Sequence, residues 1–289
     1  MKKIPASELV INGDGSIYHL NLKPEHIADT VITVGDPGRV AMVSKYFDSV
    51  DFKRAKREFV THTGRLGSKQ ITVISTGIGP DNIDIVINEL DALVNIDLET
   101  RQPRKTERSL NIIRMGTSGC IQPGVEVGSL VLSAFAVGLD NLMHFYKFSP
   151  DKTESSLYKK LIDTKFPFPT RPYVIRGSQQ LLEALGSGFR QGITMTAPGF
   201  YAPQGRSVRL ESRIQDSLEV LRDFSFEDWP VMNFEMESSA IYGLAKLLGH
   251  QALSCNVILA NRADKTFSDD PKGITDNMIE TMLERLEKM

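Results

Sequence analysis

Residues 31–40 read Val-Ile-Thr-Val-Gly-Asp-Pro-Gly-Arg-Val. The opening run of apolar and β-branched residues suits a strand buried on both faces. Gly35-Asp36-Pro37 ends it, and Pro37 has its φ preset for the first turn of a helix. A short helix is expected over Val40–Phe47. The same order then recurs along the chain. Gln70–Ser75 reads as a strand closed by Gly77-Ile78-Gly79-Pro80, before a helix over Asn82–Val94 with a broad apolar face. Leu110–Met115 reads as a strand ending at Gly116, and Gly128–Val137 and Ala252–Ala260 as two more. Arg57–Leu66 and Gln70–Ser75, separated by Gly67-Ser68-Lys69, make a hairpin, so the sheet is mixed. The expected fold class is therefore α/β: a single domain over residues 1–289 with a central mixed β-sheet flanked by helices. Residues 147–174 mix Lys, Asp, Pro and Phe, hold a short helix at Thr153–Thr164 and read as an insertion. A C-terminal helix is expected near Ile274–Lys288.

Composition narrows the function classes. The 289 residues carry 34 Lys+Arg against 36 Asp+Glu, a formal net charge of −2 that argues against a dedicated nucleic-acid binder. No apolar run approaches the length of a membrane span, and the N-terminus is a poor secretory signal. The two cysteines, Cys120 and Cys255, form neither a disulfide framework nor a zinc-ligand spacing, which fits a cytoplasmic setting. The five histidines make no HExxH or His-Cys pattern, so metal catalysis has no support, and no GxSxG elbow is present.

Four segments could carry chemistry. In Gly35–Val40 the strand-to-helix turn offers backbone N–H groups to an anion, and Arg39 adds a bidentate fork. An ordinary turn with a surface arginine fits the same six residues. Arg114-Met115-Gly116-Thr117-Ser118-Gly119 puts an arginine at the end of a buried strand, which is costly without an anionic partner. It matches neither a Walker P-loop nor a dinucleotide fingerprint. Asn233–Ser239 carries Glu235 and Glu237 ahead of a helix over Ala240–Leu248. These carboxylates suit sugar hydroxyls, acid–base work or helix capping. Phe200–Arg206 gathers aromatics, Gln204 and Arg206, a set that suits a planar heterocycle or merely a turn with core aromatics.

Taken together and in order, GDPGRV, KREFVTH, STGIGP, RMGTSG, FYAPQGR, NFEMES and NR resemble the nucleoside phosphorylase family, in its uridine-cleaving branch. That family also holds bacterial purine nucleoside phosphorylases and adenosylhomocysteine-type nucleosidases. The similarity runs from about Ser16 to Arg262 and implies the family's three-layer fold. It also implies reversible phosphorolysis of uridine to uracil and ribose 1-phosphate. By the resemblance, phosphate is bound by Gly35, Arg39, Arg114 and Thr117, with Arg57 supplied by a neighbouring subunit. Ribose is held by Thr117, Met236 and Glu237, with His19 from the same neighbour. Uracil lies against Ser118, Gly119 and Phe200 and meets Gln204, Arg206 and Arg262. The catalytic set is Arg39, Arg114, Glu237, Gln204 and Arg206.

Arg262 stands where purine-specific members carry an acid, while Asp264 lies two residues further on. A purine leaving group gains from a proton, whereas a uracil anion gains from donors and positive charge. Three converging arginines favour a phosphorylase over a hydrolase, because phosphate supplies the matching charge. No organic cofactor or metal is implied. A monovalent or divalent cation at the subunit interface is allowed, although the STGIGP loop continues as Asp81-Asn82 where such a site usually has a serine. A borrowed Arg57 and His19 imply a homo-oligomer, from a dimer to a hexamer built as a trimer of dimers. The alternatives are a purine nucleoside phosphorylase or nucleosidase, and a nucleoside-binding protein without turnover.

Overall fold

A computed structural model describes residues 3–289. In chain order the strands are β1 (Thr30–Val34), β2 (Ser49–Lys56), β3 (Phe59–Leu66), β4 (Lys69–Ser75), β5 (Ile96–Asp97), β6 (Gln102–Pro103), β7 (Asn111–Cys120), β8 (Leu130–Gly138), β9 (Tyr173–Arg176), β10 (Arg190–Thr196), β11 (Ser225–Phe226), β12 (Trp229–Glu235), β13 (Gln251–Asn261) and β14 (Thr266–Phe267). The helices are α1 (Pro37–Ser44), α2 (Pro80–Asn95), α3 (Lys152–Ile162), α4 (Gln179–Leu185), α5 (Leu218–Arg222), α6 (Ser238–Leu247) and α7 (Pro271–Lys288). No helix among the described residues is long and apolar enough to cross a membrane.

Twelve strands form one mixed sheet along β11-β12-β10-β8-β13-β7-β1-β4-β3-β2, with β14 on β13 and β9 on β8. The expected hairpin is present, with β3 and β4 antiparallel. An additional antiparallel contact pairs β12 with β7 at Asn233↔Cys120 and Phe234↔Gly119. It closes β7, β13, β8, β10 and β12 into a ring of five strands, with β1, β4, β3 and β2 as an open extension. Alternation along the strands feeds two cores. On β1, Ile32 and Val34 face a core with Val40 and Val43 of α1, Leu181 of α4 and Met278 of α7. Val31 faces the opposite core, with Ile83 of α2 and Ile241 of α6. The sheet is therefore sandwiched between helices, in three layers within a single domain.

Helix α1 spans Pro37–Ser44 where Val40–Phe47 is expected, several other ends shift by one or two residues, and two differences bear on the site. The strand expected to stop at Gly116 continues to Cys120. Its small residues stay in the sheet because β13 pairs with them, as in Asn256↔Gly116 and Val257↔Thr117. Arg57, read as the start of a strand, sits in the β2–β3 turn at φ 55°. The 147–174 stretch packs into the molecule. Asp151 and Glu154 cap α3 reciprocally, Leu157, Leu161 and Phe166 join the core, and the chain then enters β9 against β8.

Ile32 is fully buried in the middle of β1. Ile32→Ala should cost about 2–5 kcal/mol of stability, read as a lower urea midpoint at unchanged slope.

Candidate active site

The C-terminal ends of β1 and β7, the β12–α6 junction and the loop after β10 surround a cavity of about 570 Å³. At one side, β1 hands over to α1. Asp36 accepts a hydrogen bond from Gly38 N at 2.8 Å and so caps the helix. Arg39, in the first turn, reaches Met115 O with Nη1 at 3.3 Å. Burial and then the nearby Arg114 lower the Arg39 pKa, so cationic charge is concentrated here.

Arg114 is buried in the adjoining wall and has two carboxylates for partners. Its Nη2 lies 2.6 Å from Glu237 Oε2 and 3.2 Å from Glu235 Oε2. Its Nη1 donates to Asn256 Oδ1 at 2.5 Å. The guanidinium folds back over Gly116, where any Cβ would collide with it, so Gly116 is required by this rotamer. Glu237 Oε1 accepts from Gly79 N at 2.8 Å, and Gly79 takes φ 97° to present that N–H. Glu235 Oε2 accepts from the N–H groups of Glu237 and Ser238, each at 2.9 Å, at the start of α6. The capping that the sequence allowed thus falls to Glu235, while both acids pair with Arg114, Glu237 at the shorter distance. Burial raises the Glu237 carboxyl above its ordinary value, Arg114 opposes this, and Glu235 adds to it. Burial also works against the Arg114 charge, but Glu235 and Glu237 outweigh it and its pKa stands above normal.

At the other side, the loop after β10 contributes Phe200, Gln204 and Arg206. The Arg206 guanidinium carbon stands 4.0 Å from the Phe200 ring centroid. Its Nη1 donates to Gln204 Oε1 at 2.5 Å and Phe200 O at 2.8 Å. Gln204 is buried, with its carbonyl end taken by Arg206. Arg262 braces the loop by donating to the backbone oxygens of Gln204 and Gly205. Gly119 faces this group, since a Cβ there would lie 3.3 Å from Arg206 Nη2. Asp264 is committed elsewhere, accepting from Asn261 Nδ2 and Gly124 N at 2.9 Å each.

The cavity lining brings together Gly35, Arg39, Arg114, Thr117, Ser118, Gly119, Phe200, Gln204, Arg206, Met236 and Glu237. Arg262 stands behind them, and His19 and Arg57 are not part of the lining. His19 Nδ1 lies 2.6 Å from Glu89 Oε1, and Lys56 Nζ donates to Tyr18 O, so the His19 segment lies beside the β2–β3 hairpin that carries Arg57. Residues the sequence did not single out also line the cavity, among them Ile78, Leu259, Ala260 and Phe267. They carry no polar signal, and only the fold places them there.

Arg114→Met leaves two buried carboxylates facing each other, whereas Glu237→Gln leaves Arg114 still paired with Glu235. Arg114→Met should therefore cost about 3–5 kcal/mol and Glu237→Gln about 1 kcal/mol, measured by urea unfolding at neutral pH. A raised carboxyl pKa in the folded state contributes stability that is fully present below the ordinary carboxylate pKa. That contribution is lost as pH rises through the raised value. The Arg114→Met defect should accordingly shrink on acidification.

Residues 29–289 match the model of the phosphorylase superfamily. A uridine phosphorylase from Thermococcus kodakarensis is 30% identical over 270 residues, covering 92% of this chain and 85% of that protein. A DeoD-type purine nucleoside phosphorylase from Bacillus cereus is 25% identical, covering 92% of this chain and 97% of its own. A Trypanosoma brucei nucleoside phosphorylase, whose crystal structure is described as showing uridine phosphorylase activity, superposes with a TM-score of 0.89. It is 30% identical, and the match covers 97% of this chain and 100% of that one. With this match over nearly its whole length, the chain belongs to the phosphorylase superfamily.

Proposed function

We propose that this protein is a uridine phosphorylase, catalysing uridine + phosphate ⇌ uracil + ribose 1-phosphate. The observation that carries the reading is the base end of the cavity. There Arg206, with Arg262 behind it, offers cationic donors, while Asp264, two residues beyond Arg262, is committed to Asn261 and Gly124 and is not part of the lining. Such a site favours a leaving group that departs as an anion over one that needs protonation. The uridine phosphorylases among its relatives support the same reading.

In this reading phosphate enters beside Gly35, Arg39, Arg114 and Thr117 and attacks C1′. The C1′–N1 bond breaks with its electron pair moving onto uracil, and no covalent enzyme intermediate forms. Met236, Glu237 and Thr117 hold the ribose as it gains oxocarbenium character, with Glu237 accepting from sugar hydroxyls. Ser118, Gly119 and Phe200 pack the base, and Gln204 and Arg206 donate to its developing negative charge. Positioning and fixed charge account for the catalysis without an organic cofactor. His19 and Arg57 lie outside the cavity of their own chain, so we assign them to a neighbour's site, in a homo-oligomer of at least a dimer. We place the reaction in pyrimidine salvage in the cytoplasm.

Uracil release should require both uridine and phosphate, with inosine and methylthioadenosine far poorer substrates in the same assay. Phosphate-independent release would instead indicate a nucleosidase. Arg206→Ala should lower kcat/KM by about a hundredfold or more, the scale of losing an anion-stabilising donor. Uridine affinity should fall on acidification at a pH above the ordinary carboxylate range, because burial raises the Glu237 carboxyl and the ionised form is the acceptor. Titration calorimetry across pH would check this, with Glu237→Gln expected to flatten the profile.

A further inference from the structure

Arg114 and Ser118 are four residues apart on β7 and both line the cavity. They are also joined the long way round. Arg114 Nη1 donates to Asn256 Oδ1 at 2.5 Å on β13, and Asn256 Nδ2 donates to Ser133 Oγ at 3.4 Å on β8. Ser133 Oγ lies 2.5 Å from Thr194 Oγ1 on β10, and Thr194 Oγ1 donates to Asn233 Oδ1 at 2.8 Å on β12. Asn233 Nδ2 then donates to Ser118 Oγ at 2.8 Å. The path visits β7, β13, β8, β10 and β12 in ring order and returns to β7. Asn256, Ser133, Thr194 and Asn233 are fully buried.

The direction of this path is fixed by chemistry. A guanidinium only donates, so Asn256 must turn its oxygen to Arg114 and its NH₂ away, toward Ser254 Oγ at 3.2 Å and Ser133 Oγ at 3.4 Å. Ser133 thus accepts from Asn256, and its own proton has Thr194 Oγ1 within reach. Thr194 in turn gives its proton to Asn233 Oδ1, which leaves the Asn233 NH₂ to face Ser118. With Ser133 donating to Thr194, every hydrogen bond points the same way, and a cation heads the series, so each polarises the next. Ser118 Oγ receives the last of them, and its own proton has no acceptor among the described residues.

We propose that Asn256, Ser133, Thr194 and Asn233 are positioning residues that commit the Ser118 hydroxyl to donating into the cavity, to an oxygen of the departing pyrimidine. This rests on the uridine phosphorylase reading. Ser118 gives a hydrogen bond and transfers no proton; the electron pair of the broken C1′–N1 bond stays on the base. A hydroxyl so committed matches a carbonyl oxygen and does not match an N–H at the same place.

The test compares Ser118→Ala, Asn233→Asp and the double variant on uridine and 5-fluorouridine, whose base is the better leaving group. A carboxylate at 233 can only accept, so it would turn the Ser118 proton inward. Each single variant should lower kcat on uridine about ten- to a hundredfold, with phosphate KM within about twofold of wild type. The loss should be smaller on 5-fluorouridine, and the double variant should be no slower than Ser118→Ala. If Asn233→Asp fails to fold, the two-substrate comparison on Ser118→Ala decides alone. Near-wild-type turnover by Ser118→Ala, equal losses on the two nucleosides, or multiplying losses in the double variant would overturn the proposal. Wild-type protein that releases no uracil from uridine and phosphate would overturn the underlying reading as well.

Discussion

Arg114 is buried in the cavity wall, and the acidic pair at the β12–α6 junction is the condition for its being there. At 2.6 Å the Arg114–Glu237 attraction is roughly 6 kcal/mol for an effective dielectric constant near 20. Desolvating each ion costs several kcal/mol, so the network contributes little net stability. Its effect is placement. It ties the end of β12 and the first turn of α6 to β7, and through Gly79 N to the loop that opens α2. The elements around the cavity are thereby fixed to one another through a charged group.

The rest of the site follows from that constraint. The guanidinium can fold back only because residue 116 has no side chain. With two acids beside it, Arg114 does not add its full charge to the cavity, and Arg39 and Arg206 supply most of the unneutralised positive charge. Burial first, and then repulsion from Arg114, hold the Arg39 pKa below its ordinary value. A dianion entering between Arg39 and Arg114 would relieve that strain, while the carboxylates are positioned for sugar hydroxyls. Repulsion among cations and the burial of acids are in this sense one arrangement, matched to a ligand that is anionic at one end and rich in hydroxyls in the middle.

Much of this was legible in the sequence. Strand β1 and its turn into α1, the β3–β4 hairpin, α2, and the acidic pair ahead of α6 all follow from local pattern. The lining residues Arg39, Arg114, Gln204, Arg206 and Glu237 stood out as candidates because charged or amide side chains interrupt apolar runs or follow tight turns, and only the resemblance to the phosphorylase family gave them roles. Strand β10 was not legible: Arg190, Gln191 and Gly192 give it a polar start without alternation. It forms because β8 and β12 flank it on both sides with hydrogen-bonding partners. The strand through Gly116–Cys120 was missed for a related reason, since small residues read as a turn until β13 supplies the pairing.

The sequence by itself determined the α/β class, the order of the elements and the chemical kit of the site, because these depend on local periodicity and residue type. Tertiary structure decided the pairing of β12 with β7, which closes the ring, and the two carboxylates that Arg114 would meet. It also decided that Asp264 would bind Gly124 and stand outside the cavity lining, and that Asn256, Ser133, Thr194 and Asn233 would join in one hydrogen-bonded series. Each of those is a contact between residues far apart in the chain. No local pattern encodes such contacts, because they exist only once the strands have been brought side by side.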